Sequence, residues 1–85
     1  MDEVRSMNTQ EALSWISEIF EEPPGRIDPA TLRDDIPGWD SLGTLSLIAA
    51  LDERFDIHLS EQDIERLQSV KDIFELLRRH EALSA

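Results

Sequence analysis

Gly38-Trp39-Asp40-Ser41-Leu42-Gly43-Thr44-Leu45 marks the point where a loop rich in proline, glycine and acids gives way to a long apolar-periodic segment. Asp40 suits a helix start, because its carboxylate can accept hydrogen bonds from the free N–H groups of a first turn. Ser41 then takes the first helical position, where its hydroxyl is exposed at the positive end of the helix dipole. A phosphate esterified to Ser41 would sit where backbone donors favour an anion. Beyond it, Leu47, Leu51 and Phe55 form one stripe with Thr44 and Ile48 alongside, which predicts a helix over 41–55. Leu42, Leu45 and Ala49 fall on another flank. A helix apolar on more than one side has two surfaces to cover, so 47, 48, 51 and 55 are assigned to the core, and 42, 45 and 49 to a partly exposed flank for a partner.

Upstream, Asn8 with Glu11 has the capping-box pattern, and Leu13, Ile16 and Phe20 repeat at helical spacing, so a first helix starts at Asn8 or Thr9. Pro23-Pro24-Gly25 is expected to stop it. The connection from about Glu21 to Trp39 holds all four prolines and two of the three glycines. Ile27, Leu32 and Ile36 recur along it as anchors to the core, with a short helical turn expected at Pro29 to Arg33. Trp39 gains most from burial and reads as a further loop anchor, and Trp15 as a residue at the core margin.

Downstream, Phe55, Ile57 and Leu59 alternate as a strand would, but no other stretch offers a partner for its backbone groups. The segment reads instead as an extended link to a short helix at about Glu61 to Leu67, capped by Ser60 with Ile64 and Leu67 inward. Ser69 caps a last helix with Asp72 at its third position; Val70, Ile73, Phe74 and Leu77 form its buried face, and Arg78, Arg79 and His80 suit its end. The sum is all-α: a four-helix bundle with a short third helix and a long first loop, one domain over 1–85 with residues 1–7 and 81–85 expected to fray.

Composition narrows the function. Eighty-five residues suffice for one small core. Nineteen acids against eight basic side chains give a formal charge of −11, which disfavours nucleic acid and anionic membranes and speeds encounter with basic protein patches. With no cysteine there is no disulfide framework, and any thiol chemistry must be imported. No apolar run approaches the roughly 20 residues of a membrane span, and the N-terminus lacks the order of a signal peptide, so a cytoplasmic monomer is expected. Two histidines without metal-ligand spacing predict no metal site, and without a Gly-x-Ser-x-Gly elbow Ser41 is not read as a hydrolytic nucleophile. No enzymatic activity is expected.

Asp40-Ser41-Leu42, the Phe55-Asp56-Ile57-His58-Leu59 run and the Ser69-Val70-Lys71-Asp72-Ile73 helix start lie at spacings that resemble the acyl carrier protein family, over about residues 10 to 80. The resemblance implies that Ser41, between Asp40 and Leu42, carries 4'-phosphopantetheine from coenzyme A as a phosphodiester. The prosthetic thiol would then hold acyl groups as thioesters for fatty-acid, polyketide or specialised pathways. It implies as partners a phosphopantetheinyl transferase and loading, synthase or transferase enzymes with basic patches, met by Leu45, Ala49, Asp52, Glu53 and Asp56, with Asp40 a further acid at the site.

Two positions depart from fatty-acid carriers, which commonly have acids two and five residues after the modified serine, where this chain has Gly43 and Ser46. The upper recognition helix is thus uncharged. Gly43, a weak helix former, is expected to admit a partner or the prosthetic arm close to the backbone. Ser41-Leu42-Gly43-Thr44 is similar to D-alanyl carriers and other dedicated acyl or aminoacyl carriers. The rival from another class is an unmodified acidic helical adaptor that binds through the same flank.

Overall fold

The computed structural model describes residues 6–23 and 25–84. It contains four helices, α1 (Thr9–Ile19), α2 (Ser41–Phe55), α3 (Glu61–Arg66) and α4 (Val70–Arg79), with a single 3₁₀ turn at Arg33–Asp35. Among the described residues there is no strand, only two isolated bridges, and the all-α bundle with a short third helix is the architecture expected.

Side chains start every helix. Asn8 and Glu11 close a reciprocal box at 3.0 and 2.7 Å, and Ser60 and Asp63 do the same at 3.1 Å in both directions. Asp40 Oδ1 accepts the Gly43 N–H at 2.9 Å, and Ser69 Oγ accepts that of Asp72 at 3.3 Å. These bonds satisfy N–H groups that have no partner inside their own helix.

The helix ends differ from expectation. Neither α1 nor α4 waits for proline or glycine; each closes on a glutamate in the left-handed region, Glu21 (φ 59°) and Glu81 (φ 59°). At α1 the Glu22 N–H reaches the Ser17 carbonyl at 2.8 Å, and the Glu21 N–H that of Glu18 at 3.2 Å; at α4 the Ala82 N–H reaches Leu77 at 2.7 Å. This paired closure turns the chain back at once. α1 therefore ends at Ile19, before Pro23.

The core is built from Ile16, Leu47, Leu51, Ile73 and Leu77, all 0 % exposed, with Ile57 and Val70 beside them. The predicted stripes on α2 and α4 face it, although Ile48 is half-buried rather than fully inside. Ile64 is half-buried and Leu67 buried, as the inward pair after α2. Trp15 sits at the margin, edge-on to Phe55 with centroids 5.6 Å apart.

The long connection is pinned, but not by the three residues expected. Ile27 and Ile36 are buried, whereas Leu32 is 54 % exposed. At that point the backbone makes the attachment: Val70 N–H donates to the Thr31 carbonyl at 3.0 Å and Arg33 N–H to that of Gln68 at 2.8 Å. The bonds come from the residues on either side of Leu32, whose own carbonyl accepts from Asp35 N–H at 2.9 Å, so this point is held by backbone and the Leu32 side chain stays exposed. Trp39 is the third anchor, 4 % exposed and stacked on Phe20 at 4.9 Å with planes 15° apart. The helical turn expected at 29–33 lies later, at Arg33–Asp35; Pro29 and Ala30 instead sit in a turn closed by the Asp28 carboxylate on the Ala30 N–H (2.8 Å).

The termini also correct the expected fraying. Met7 is 1 % exposed and Leu83 6 %. Met7 N–H donates to the Ala82 carbonyl and its own carbonyl accepts from Ser84 N–H, both at 2.8 Å, so the two ends clasp each other across the core. Residues 1–5 and 85 lie outside the described residues.

Two glycines seat the start of α2. A Cβ on Gly38 would strike the Phe20 carbonyl oxygen, and one on Gly43 would strike the Gly38 carbonyl oxygen and come within 3.2 Å of the Phe20 ring. The end of α1, the loop and the first turn of α2 thus touch backbone to backbone, in contacts of the Cα–H···O kind. Gly43 is buried by this stack. The close approach expected of a partner or a prosthetic arm is made by the protein's own loop.

Gly43→Ala should therefore reverse the usual helix rule. Alanine ordinarily gains about 1 kcal/mol over glycine inside a helix, but here overpacking costs about 1–3 kcal/mol. The expected outcome is a lower denaturant midpoint; an unchanged or raised midpoint would contradict the stack. A second expectation concerns α3, where the Ser60 N–H, then its hydroxyl, holds the Asp63 carboxyl below its ordinary value of 3.8. A lowered pKa means that folding favours the charged form. The contribution is therefore present above pH 3.8 and fades as pH falls below it. The stability difference between the native chain and Asp63→Ala should narrow on acidification; a difference that stays constant would remove the charge from the explanation.

Candidate functional site

The root of α2 presents one exposed hydroxyl. Asp40 lies just outside the helix in extended backbone (φ −110°, ψ −160°), turns its carboxylate onto Gly43 N–H, and accepts the Thr44 N–H on its carbonyl at 2.8 Å. The N–H groups of Ser41 and Leu42 are left without a partner inside the helix. Ser41 is exposed at the first helical position, as the sequence predicts. An oxyanion bonded to its oxygen would meet those donors and the positive end of a 15-residue helix. The residues present thus fit a phosphodiester at Ser41 without rearrangement of the cap.

What holds this root is aromatic. Trp39, directly before Asp40, is fixed by its stack on Phe20, and the Arg33 guanidinium lies 5.8 Å from its ring centre. Arg33 is brought there by the 3₁₀ turn, so the loop supports the site from below. Sequence reasoning missed Phe20 and Gly38 as site supports; the signal available was the Gly38/Gly43 spacing beside a tryptophan. One turn into α2, the Thr44 hydroxyl is buried without a hydrogen-bond partner among the described residues.

The predicted partner flank is open. Leu42 is 74 % exposed and Leu45 62 %, and Ala49 is exposed beside them. No charged residue occurs from Ser41 to Leu51. The acids Asp52, Glu53 and Asp56 are exposed at the far end, beginning about 16 Å along the axis from Ser41 at 1.5 Å per residue. The structure brings His58 between two of them: Nδ1 lies 3.5 Å from Asp52 and Nε2 lies 3.2 Å from Asp56. The three side chains place one ligand-type atom each within 4.8 Å of the others, all exposed.

Among the described residues no helix is long and apolar enough to cross a membrane. No solved structure matches the chain. An acyl carrier protein of Syntrophobacter fumaroxidans is 42 % identical over 53 residues, covering 62 % of this chain and 64 % of that protein. An acyl carrier protein of Desulforapulum autotrophicum is 40 % identical over 53 residues, covering 62 % of this chain and 68 % of the relative. The match thus spans less than two thirds of the first relative's length. The family model described as phosphopantetheine attachment site matches residues 13–77, a span that holds α2, α3 and most of α1 and α4. The group implied by that family is covalent 4'-phosphopantetheine. With most of its length inside the match, the chain belongs to the phosphopantetheine-attachment-site family.

Proposed function

We propose that this chain is a non-enzymatic acyl carrier whose 4'-phosphopantetheine is attached at Ser41. The observation that carries the reading is the exposed Ser41 hydroxyl at the start of α2, beside unpaired first-turn N–H groups, inside the matched span. When bound, the group supplies a thiol that holds a carboxylic acid as a thioester. The chain's own residues do the positioning. Asp40 fixes the first turn by its bond to Gly43 N–H and keeps its carboxylate off the serine; the N–H groups of Ser41 and Leu42 face the phosphodiester; Leu42 stands next to the root as an apolar contact.

The partners in this reading are a phosphopantetheinyl transferase that uses coenzyme A, and loading and transfer enzymes that receive the arm, in the cytoplasm. Leu45 and Ala49 would enter an apolar depression beside the enzyme's entrance, while Asp52, Glu53 and Asp56 meet basic residues farther off. The protein acts as a monomer. The uncharged upper half of α2 favours a dedicated acyl or aminoacyl carrier, D-alanyl carriers included, over a general fatty-acid one. A partner recognised through Leu42 and Leu45 should lose little affinity in salt.

Intact mass after incubation with coenzyme A, magnesium and a broad-specificity phosphopantetheinyl transferase tests the assignment. One phosphopantetheine is expected on the native chain and none on Ser41→Ala. A folded native chain that gains nothing, beside an active control carrier, would leave Ser41 a capping neighbour and favour the unmodified acidic adaptor.

A further inference from the structure

A cleft of about 250 Å³ opens between the C-terminal end of α1 and the first turns of α2. Ile19, Phe20, Glu21, Leu42, Gly43 and Ser46 line it, together with Gly38 and Asp40. We propose that the part of the phosphopantetheine arm nearest its phosphate, the pantoyl amide with its two geminal methyl groups and one hydroxyl, rests in this cleft. The inference depends on the reading of Ser41 as the attachment point and adds a resting place on the protein to it.

The tether comes first. Asp40 and Leu42, the residues on either side of Ser41 in the chain, both line the cleft. A group esterified to Ser41 is therefore held at a high effective concentration beside it, and a contact too weak to capture free pantetheine can still hold the tethered one.

The chemistry of the walls matches the arm. Ile19, Phe20 and Leu42 give an apolar side for the geminal methyls, and Leu42 is 74 % exposed until something covers it. The Glu21 carboxylate and the Ser46 hydroxyl, both on exposed residues, offer acceptors for the pantoyl hydroxyl and the amide N–H. Between them the wall is backbone, Gly43 packed against the Gly38 carbonyl.

The backbone that frames the cleft is held in place. Glu21 has its backbone held by the hydrogen-bonded closure of α1, and Gly38 and Gly43 by their mutual contact, so occupancy has only side chains to order. The other place near Ser41 is the Thr44 side of α2, with its unpartnered hydroxyl. That hydroxyl is buried, and Thr44 does not line the cleft beside Asp40 and Leu42.

The test compares the unmodified chain with the chain loaded with unacylated phosphopantetheine, its loading confirmed by intact mass, in isotope-edited NMR. Expected are nuclear Overhauser contacts from the geminal methyls to the Phe20 ring and Leu42 methyls, with amide shift changes at Glu21, Gly43 and Ser46. Loaded protein whose changes stop at Ser41 and its immediate neighbours, or whose methyls contact Thr44 and Ile48, overturns the cleft while leaving the carrier reading intact. Failure to load removes both.

Discussion

The contact on which the rest of the site depends is the backbone stack of Phe20, Gly38 and Gly43. Helix α2 begins where Asp40 caps it, and at that point the loop comes against the end of α1 without side chains between. That close approach lets Trp39 stack on Phe20, and the stack fixes the direction in which the chain enters Asp40. A capped first turn held on a moving loop would present its serine over a wide range of positions. Held on this stack, Ser41 has one.

The same dependence explains which parts of the fold were legible beforehand. Helix starts were readable because the side chain that caps is also the one that signals: Asn8, Asp40, Ser60 and Ser69 stand at their predicted places. Helix ends were not, because the left-handed residues that close α1 and α4 are Glu21 and Glu81, and glutamate carries no such signal. Leu32 was misplaced for a related reason: hydrophobic recurrence predicts burial of side chains and is blind to an attachment made through backbone, as between Thr31, Arg33, Gln68 and Val70. Met7 and Leu83 escaped because each finds its partner at the opposite end of the chain, a relation no local window contains.

At the candidate site the local chemistry was legible and its support was not. A capping acid, a serine and an apolar flank are neighbours in sequence, so their joint exposure could be anticipated. Gly43 shows the limit. Its low helix propensity was visible, and so was the need for some close approach, but what approaches is the Gly38 carbonyl, which only the tertiary fold identifies. A glycine in a helix announces a close neighbour without naming it.

Charge along α2 is separated by function of distance rather than mixed. From Ser41 to Leu51 the helix shows solvent only hydroxyls and aliphatic side chains; the acids begin at Asp52, about three turns and about 16 Å along the axis from the root. At physiological ionic strength the Debye length is about 8 Å, so those acids contribute little to the potential at Ser41. Their field acts on an approaching partner before contact, whereas Leu42 and Leu45 act only on contact, by losing water. Long-range attraction and short-range fit therefore reside in different halves of one helix. A substitution in the lower half should alter how fast a partner arrives, and one in the upper half how long it stays.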